Sequence, residues 1–148
     1  MASTRRSKKS KKTTTRRSSA SKMYSNEDIV KMFLEMLNTT KLYHWKTHSY
    51  AEHKSTDDLY SSLNGHVDDF VETMLGIRNG SRANLVGKHT LHLHDVSDVS
   101  AFKSLIEQYK KYLIQMSSSE LGQHTDLMNI RDSILGDLDK LNYLLTFK

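Results

Sequence analysis

Apolar residues recur every three or four positions along most of the chain, the spacing of one helix face. Ile29, Phe33, Leu37, Thr40 and His44 form one stripe, which predicts a helix from about Asn26 to Thr47. Ser25 and Asp28 precede it in the S-x-x-D pattern of a capping box. A second stripe, Leu59, Leu63, Val67, Phe70 and Met74, predicts a helix from about Ala51 to Leu75, stopped by Gly76. Asp98 is placed to cap a third helix carrying Val99, Phe102, Ile106, Tyr109, Leu113 and Met116. Leu127, Ile130, Ile134, Leu138, Leu141 and Leu145 mark a fourth, starting near Ser118. Residues 77–97 show no such period and read as an irregular crossover. No alternating strand pattern competes. The expected fold is all-α: a four-helix bundle of ferritin-like topology, with its long connection between helices 2 and 3.

The pattern stops before Met23. Residues 1–25 hold Arg5, Arg6, Lys8, Lys9, Lys11, Lys12, Arg16, Arg17 and Lys22, separated by Ser, Thr and Ala, with no acidic residue. Taking these nine from the 22 Lys+Arg leaves 13 against all 17 Asp+Glu, so the net +5 divides into a +9 arm and a −4 body. A polar segment of this kind cannot bury enough surface to offset its ordering entropy. The expected organisation is therefore a disordered basic arm over 1–24 and a bundle over 25–148. A +9 arm suits non-specific binding to DNA through phosphate neutralisation. A solubilising tail, a nuclear-import signal and an arm for an acidic protein face are the competing readings of the same charge. The absence of cysteine excludes disulfides, thiolate metal sites and thiol catalysis. The basic start is not followed by the apolar stretch of a secretory signal, and no run of 18 apolar residues exists, so no membrane partner is expected.

Helix 2 carries a second, polar stripe. His53, Asp57, Asp68 and Glu72 fall within an arc of roughly 100° on the side away from its core residues. They form two i,i+4 pairs of metal-ligating groups, a set that suits iron, manganese or zinc better than calcium. Asp57 and Asp68 stand eleven residues apart, about 16 Å along a helix, so one ion cannot be shared within one chain. A two-fold axis near residue 62 or 63, with helix 2 antiparallel to its copy, resolves this. His53 and Asp57 of one chain then face Asp68 and Glu72 of the other, twice per dimer, while Ser61, Asn64 and Gly65 allow close approach. His44, on the inward stripe, is placed to add an imidazole. Water-facing polar residues are the plain reading of such a stripe, and two pairs in symmetric register with an inward His44 strengthen the case for a site.

These residues resemble a family. His44-Trp45 followed by His53-x3-Asp57-x10-Asp68-x3-Glu72 is similar to the ferroxidase motif of the Dps family, the DNA-binding mini-ferritins. His66-Val67-Asp68 and Asp137-Leu138-Asp139-Lys140 resemble that family's helices 2 and 4. The wording around Tyr43-His44-Trp45-Lys46-Thr47 and Ser49-Tyr50-Ala51 also resembles ferritin-like proteins of large DNA viruses. The resemblance spans roughly residues 26–147. It implies catalytic metal ligands His44, His53 and Asp57 from one subunit and Asp68 and Glu72 from its mate. It also implies Fe(II) oxidation, often by peroxide, iron storage in a twelve-subunit shell, and protection of DNA bound by the arm. Other divalent metals fit the same ligands. The expected location is inside the cell, on the DNA of a nucleoid, nucleus or virion. The sequence departs from the family in the short connection between His44 and His53 and in the stretch Gly76–Ser97.

Trp45 is expected to pack in the core, although the resemblance would set it beside the iron. His89, His92 and His94 in the crossover are expected to face solvent, with an accessory metal site as the sharper reading. Glu120 and His124 are expected at the surface. A function from another class stays open: an oligomeric scaffold whose arms condense or package DNA without turnover.

Overall fold

The computed structural model describes residues 24–80, 82 and 84–147. The nine cations of the arm, Arg5 to Lys22, lie outside the described residues. Four helices form, α1 Asn26–Lys46, α2 Tyr50–Ile77, α3 Val99–Gln115 and α4 Thr125–Leu144, with no strand among the described residues. The fold is all-α. The amide of Asp28 donates to Ser25 Oγ at 3.0 Å, and that hydroxyl donates back to Asp28 Oδ2, so the capping box is closed. Ser49 and Asp98 cap α2 and α3 through the amides of Glu52 and Ala101.

The predicted core stripes are buried almost throughout; Val99 and Ile130 are half-buried. Phe33 meets Phe70 edge-on at 5.1 Å, and Tyr43 stacks on Phe102 at 4.1 Å. Tyr24, assigned to the arm from sequence, is buried and meets Tyr112 edge-on.

Two helix ends differ from the expectation. α2 does not stop at Gly76. It runs to Ile77 and closes where Asn79 (φ 61°) and Gly80 (φ 69°) turn left-handed, the Gly80 amide donating to Leu75 O at 2.6 Å. A helix ends where a residue adopts that conformation, and Gly76 does not. α4 begins at Thr125, not near Ser118, because two 3-10 turns, Met116–Ser118 and Glu120–Gln123, intervene. The Ser119 hydroxyl donates to Met116 O at 2.6 Å and accepts from the Leu121 amide, drawing the backbone out of the α conformation. Gly122 is required in this turn: a Cβ there would lie 2.3 Å from Ser117 O. Buried Arg131 of α4 reaches back to Leu113 O (2.9 Å) and Ser117 Oγ (2.8 Å), satisfying a carbonyl in the last turn of α3.

Contacts at each end define the path. Arg78, after α2, binds Asn26 Oδ1, Tyr24 O (2.8 Å) and Glu120 Oε1 (3.0 Å), so α2 ends beside the start of α1. The crossover then returns along α1. His89 faces Asp28 at 3.6 Å, the His92 amide donates to Glu35 at 2.7 Å, and Asp95 pairs with Lys46 at 2.7 Å. α3 therefore starts where α1 ends and runs parallel to α2. This connection spans the length of the bundle and leaves the outer α1–α2 face uncovered.

Candidate metal centre on the paired helices

His44 sits in the last turn of α1 and His53 in the first turn of α2, and the short connection stacks their rings 3.9 Å apart at 25°. Each ring is held by the other residue's backbone. His44 Nδ1 lies 3.0 Å from His53 O, and His53 Nδ1 lies 3.0 Å from His44 O. A carbonyl only accepts, so both Nδ1 atoms carry the proton and both Nε2 atoms are left to bind something else. Thr56 supports this assignment. Its hydroxyl donates to Glu52 O at 2.7 Å, which leaves its oxygen to accept from His44 Nδ1 at 3.3 Å. Fixing one ring nitrogen on a carbonyl is how proteins orient a histidine for a metal.

Asp57, one turn after His53, places Oδ1 4.0 Å from His44 Nε2. His44 is buried, while His53 is exposed and the Asp57 carboxylate half-exposed. The structure thus brings together three of the five residues singled out in the sequence. Asp68 and Glu72 are not among them. α2 is unbroken, which keeps Asp68 about 16 Å from Asp57. Both carboxylates are exposed, with no hydrogen-bond or ion-pair partner among the described residues. Among those residues no three His, Asp or Glu side chains of one chain converge closely enough to hold an ion.

Beside Asp68 the outer face carries a groove of about 260 Å³ between α1 and α2, walled by Val30, Leu34, Leu37, Val67 and Val71. At the other end of that face Trp45 is 66% exposed, which corrects its expected place in the core. It occupies the outer side of α1, where Lys41 lies 5.8 Å from its ring and 4.5 Å from that of Tyr60.

Residues 44–145 match the family of unknown function DUF5856. The chain belongs to DUF5856. The DUF5856 span opens on His44 and includes all five candidate ligands, whereas the arm lies outside it. No curated protein and no solved structure matches the chain.

His66, His89, His92, His94 and His124 stand apart from this centre. His66 Nδ1 bonds Asp137 Oδ2 at 2.7 Å and ties α2 to α4. His89 is engaged with Asp28, while exposed His92 and half-buried His94 join no ligand cluster. Glu120 is bound to Arg78, and His124 precedes α4. Sequence reasoning missed Thr56, and it missed the bond from Tyr43 Oη to Glu52 Oε2 at 2.7 Å. The available signal was their position: Tyr43 and Glu52 directly precede His44 and His53.

Proposed function

We propose that this DUF5856 chain is a ferritin-like, Dps-like ferroxidase that completes its site by pairing two copies through the α1–α2 face. The observation that carries this reading is the mutual histidine lock. His44 presents its Nε2 4.0 Å from the Asp57 carboxylate with the His53 ring stacked on it, at one end of a face whose other end holds two more carboxylates without partners among the described residues. His53 and Glu72 are equidistant from the boundary between Ser62 and Leu63, and so are Asp57 and Asp68. A two-fold axis there superposes the two halves in antiparallel register.

The same register accounts for two further features. Trp45 stands level with His53 and Asp57, because His44 stacks on His53 and Lys41 lies over Tyr60. In the pair, Trp45 meets the apolar groove beside Asp68 of the second copy, and each covers the other's exposed apolar surface. A connection that makes α2 and α3 parallel supports the ferritin-like reading, and it leaves the pairing face open.

Fe(II) is the substrate in this reading. His44, His53 and Asp57 of one copy hold it, with Asp68 and Glu72 of the other. Carboxylate oxygens favour the harder Fe(III) product, and hydrogen peroxide takes the electrons. The arm, with Arg5, Arg6, Lys8, Lys9, Lys11, Lys12, Arg16, Arg17 and Lys22, ties the oligomer to DNA non-specifically, and a twelve-subunit shell would store the oxidised iron. Consumption of peroxide at a fixed site protects that DNA. The test is Fe(II) oxidation with peroxide. Wild type is expected to outpace buffer, and Asp68→Ala with Glu72→Ala to remove the gain. The exposure of Asp68 and Glu72 in the single chain favours one other reading, a scaffold whose arms package DNA without turnover. Equal rates for both forms would select it. Deleting residues 1–22 leaves the −4 body and should abolish binding to DNA in a salt-series gel shift while iron oxidation persists.

A further inference from the structure

On the side of α1 away from the pairing face, Asp28, Lys31, Met32 and Glu35 follow the spacing of one helix stripe. Leu105, Tyr109 and Tyr112 form a matching stripe on α3. Because α3 starts where α1 ends, the two stripes oppose each other along antiparallel helices. They enclose a pocket of about 410 Å³, the size of a small-molecule site. His94 of the crossover supplies a further wall, next to the His92–Glu35 bond that anchors this segment on α1.

At one end of the pocket Tyr24 and Tyr112 meet at 5.1 Å with their planes at 90°, forming an aromatic corner. Burial raises the Tyr112 phenol above its ordinary range, with the charges of Tyr24 and Asp28 adding to it. Burial likewise raises the Tyr109 phenol, with Glu35 adding to it. The rings therefore stay neutral, and each has a carboxylate nearby. The face of such a ring attracts cations. Two carboxylates against the single ammonium of Lys31 leave the pocket a net charge of −1. Lys31 stands 3.8 Å from Glu35, so that end already has its cation. Asp28, at the aromatic corner, has no lysine or arginine partner among the described residues; it meets the Ser25 hydroxyl at 2.8 Å and His89 at 3.6 Å. Met32 and Leu105 make the stretch between the two ends apolar.

We infer that this pocket binds a small organic ammonium ion, its charged nitrogen at Asp28 and the corner of Tyr24 and Tyr112. The apolar chain of the ion lies along Met32 and Leu105 toward Tyr109. An anion would meet two carboxylates, and among the described residues no ligand set converges there on a bare metal ion. The inference is independent of the iron reading, since no candidate iron ligand lines this pocket.

The experiment titrates full-length protein at pH 8 with hexyltrimethylammonium chloride, followed by calorimetry and by the carbon-13 methyl spectrum of methionine-labelled protein. Saturable binding with a dissociation constant of about 1 mM or below is expected. The Met32 methyl signal, assigned with Met32→Leu, should shift. Met32 lines this pocket and not the groove between α1 and α2, so its response tells the two apart. Hexan-1-ol, with the same chain and no charge, should bind about tenfold more weakly or not at all. Asp28→Asn should weaken binding of the ammonium ion about tenfold. Lys31→Gln removes the competing cation and should strengthen binding, a gain that poor folding does not produce. The inference is overturned by absence of binding, by binding without a Met32 shift, by equal affinity for hexan-1-ol, or by unchanged affinity in either folded variant.

Discussion

The two ends of the outer α2 face are built differently. Around His53 the ligands are pre-set: one imidazole is buried, both rings are stacked, and each Nδ1 is held by a carbonyl. Around Asp68 and Glu72 no hydrogen bond or ion pair among the described residues restrains the carboxylates, and the neighbouring surface is an open apolar groove. A rigid half and an open half on one helix, equidistant from a common centre, are what the proposed site divided between two molecules requires. Further carboxylates gathered beside Asp57 would repel one another until an ion arrived. Dividing the ligands between copies postpones that repulsion until the dimer forms.

The largest effect that can break this comparison is a complementation test. His53→Ala alone, and Asp68→Ala with Glu72→Ala, should each reduce Fe(II) oxidation to the buffer rate, because each damages both sites of a homodimer. Mixing the two forms through unfolding and refolding should recover about one quarter of wild-type activity. Half the dimers are then mixed, and each holds one intact site of two. No recovery, with mixed dimers demonstrated by mass, would mean that the two halves do not belong to one site.

Next in size is the pairing itself. Val71→Asp puts a charge into the wall of the groove beside Asp68, and Trp45→Ala removes its expected occupant. Both should shift the dimer toward monomer in sedimentation, Val71→Asp more strongly, since a buried unpaired carboxylate costs several kcal/mol, of order 3. The helical circular dichroism of either variant should stay unchanged.

Stability separates the two halves more quietly. His44→Ala removes a buried, stacked and hydrogen-bonded ring and should lower unfolding stability by about 2 kcal/mol in urea melts. Lost ligand function in this variant therefore has to be measured where it is still folded.

The parts of this picture that follow a helical period were readable in the sequence. The core stripes, the Ser25 and Asp98 caps and the inward position of His44 depend on spacing alone. The α2 end was misread because Gly76 resembled a stop, whereas the left-handed turn lies at Asn79 and Gly80. The start of α4 was misread because Ser119 binds backbone on both sides, a competition that periodicity does not register. In the candidate site, the approach of His44 to Asp57 follows from the helical spacing, but the histidine lock was not legible. It depends on two carbonyl directions at a helix turn, which no side-chain pattern encodes. Trp45 was misplaced for a related reason: large aromatic residues are usually buried, and Trp45 lies exposed on the outer side of α1.

The smallest expected effect tests whether the open half carries a cost. Asp68 and Glu72 are an i,i+4 pair of like charge on an exposed helix face, and Asp69 lies beside them. Pairs of this kind destabilise a helix by about 0.2–0.5 kcal/mol. Asp68→Asn, which preserves shape and removes one charge, should therefore raise the urea midpoint slightly in metal-free protein at neutral pH. The gain should shrink as salt screens the repulsion. Adding Fe(II) without oxygen should reverse the ranking, because a ligand that binds only the folded dimer stabilises it, and wild type binds more tightly than the variant. If Asp68→Asn is less stable than wild type before any metal is added, Asp68 has a structural partner. The contrast between a restrained half and an open half would then be lost.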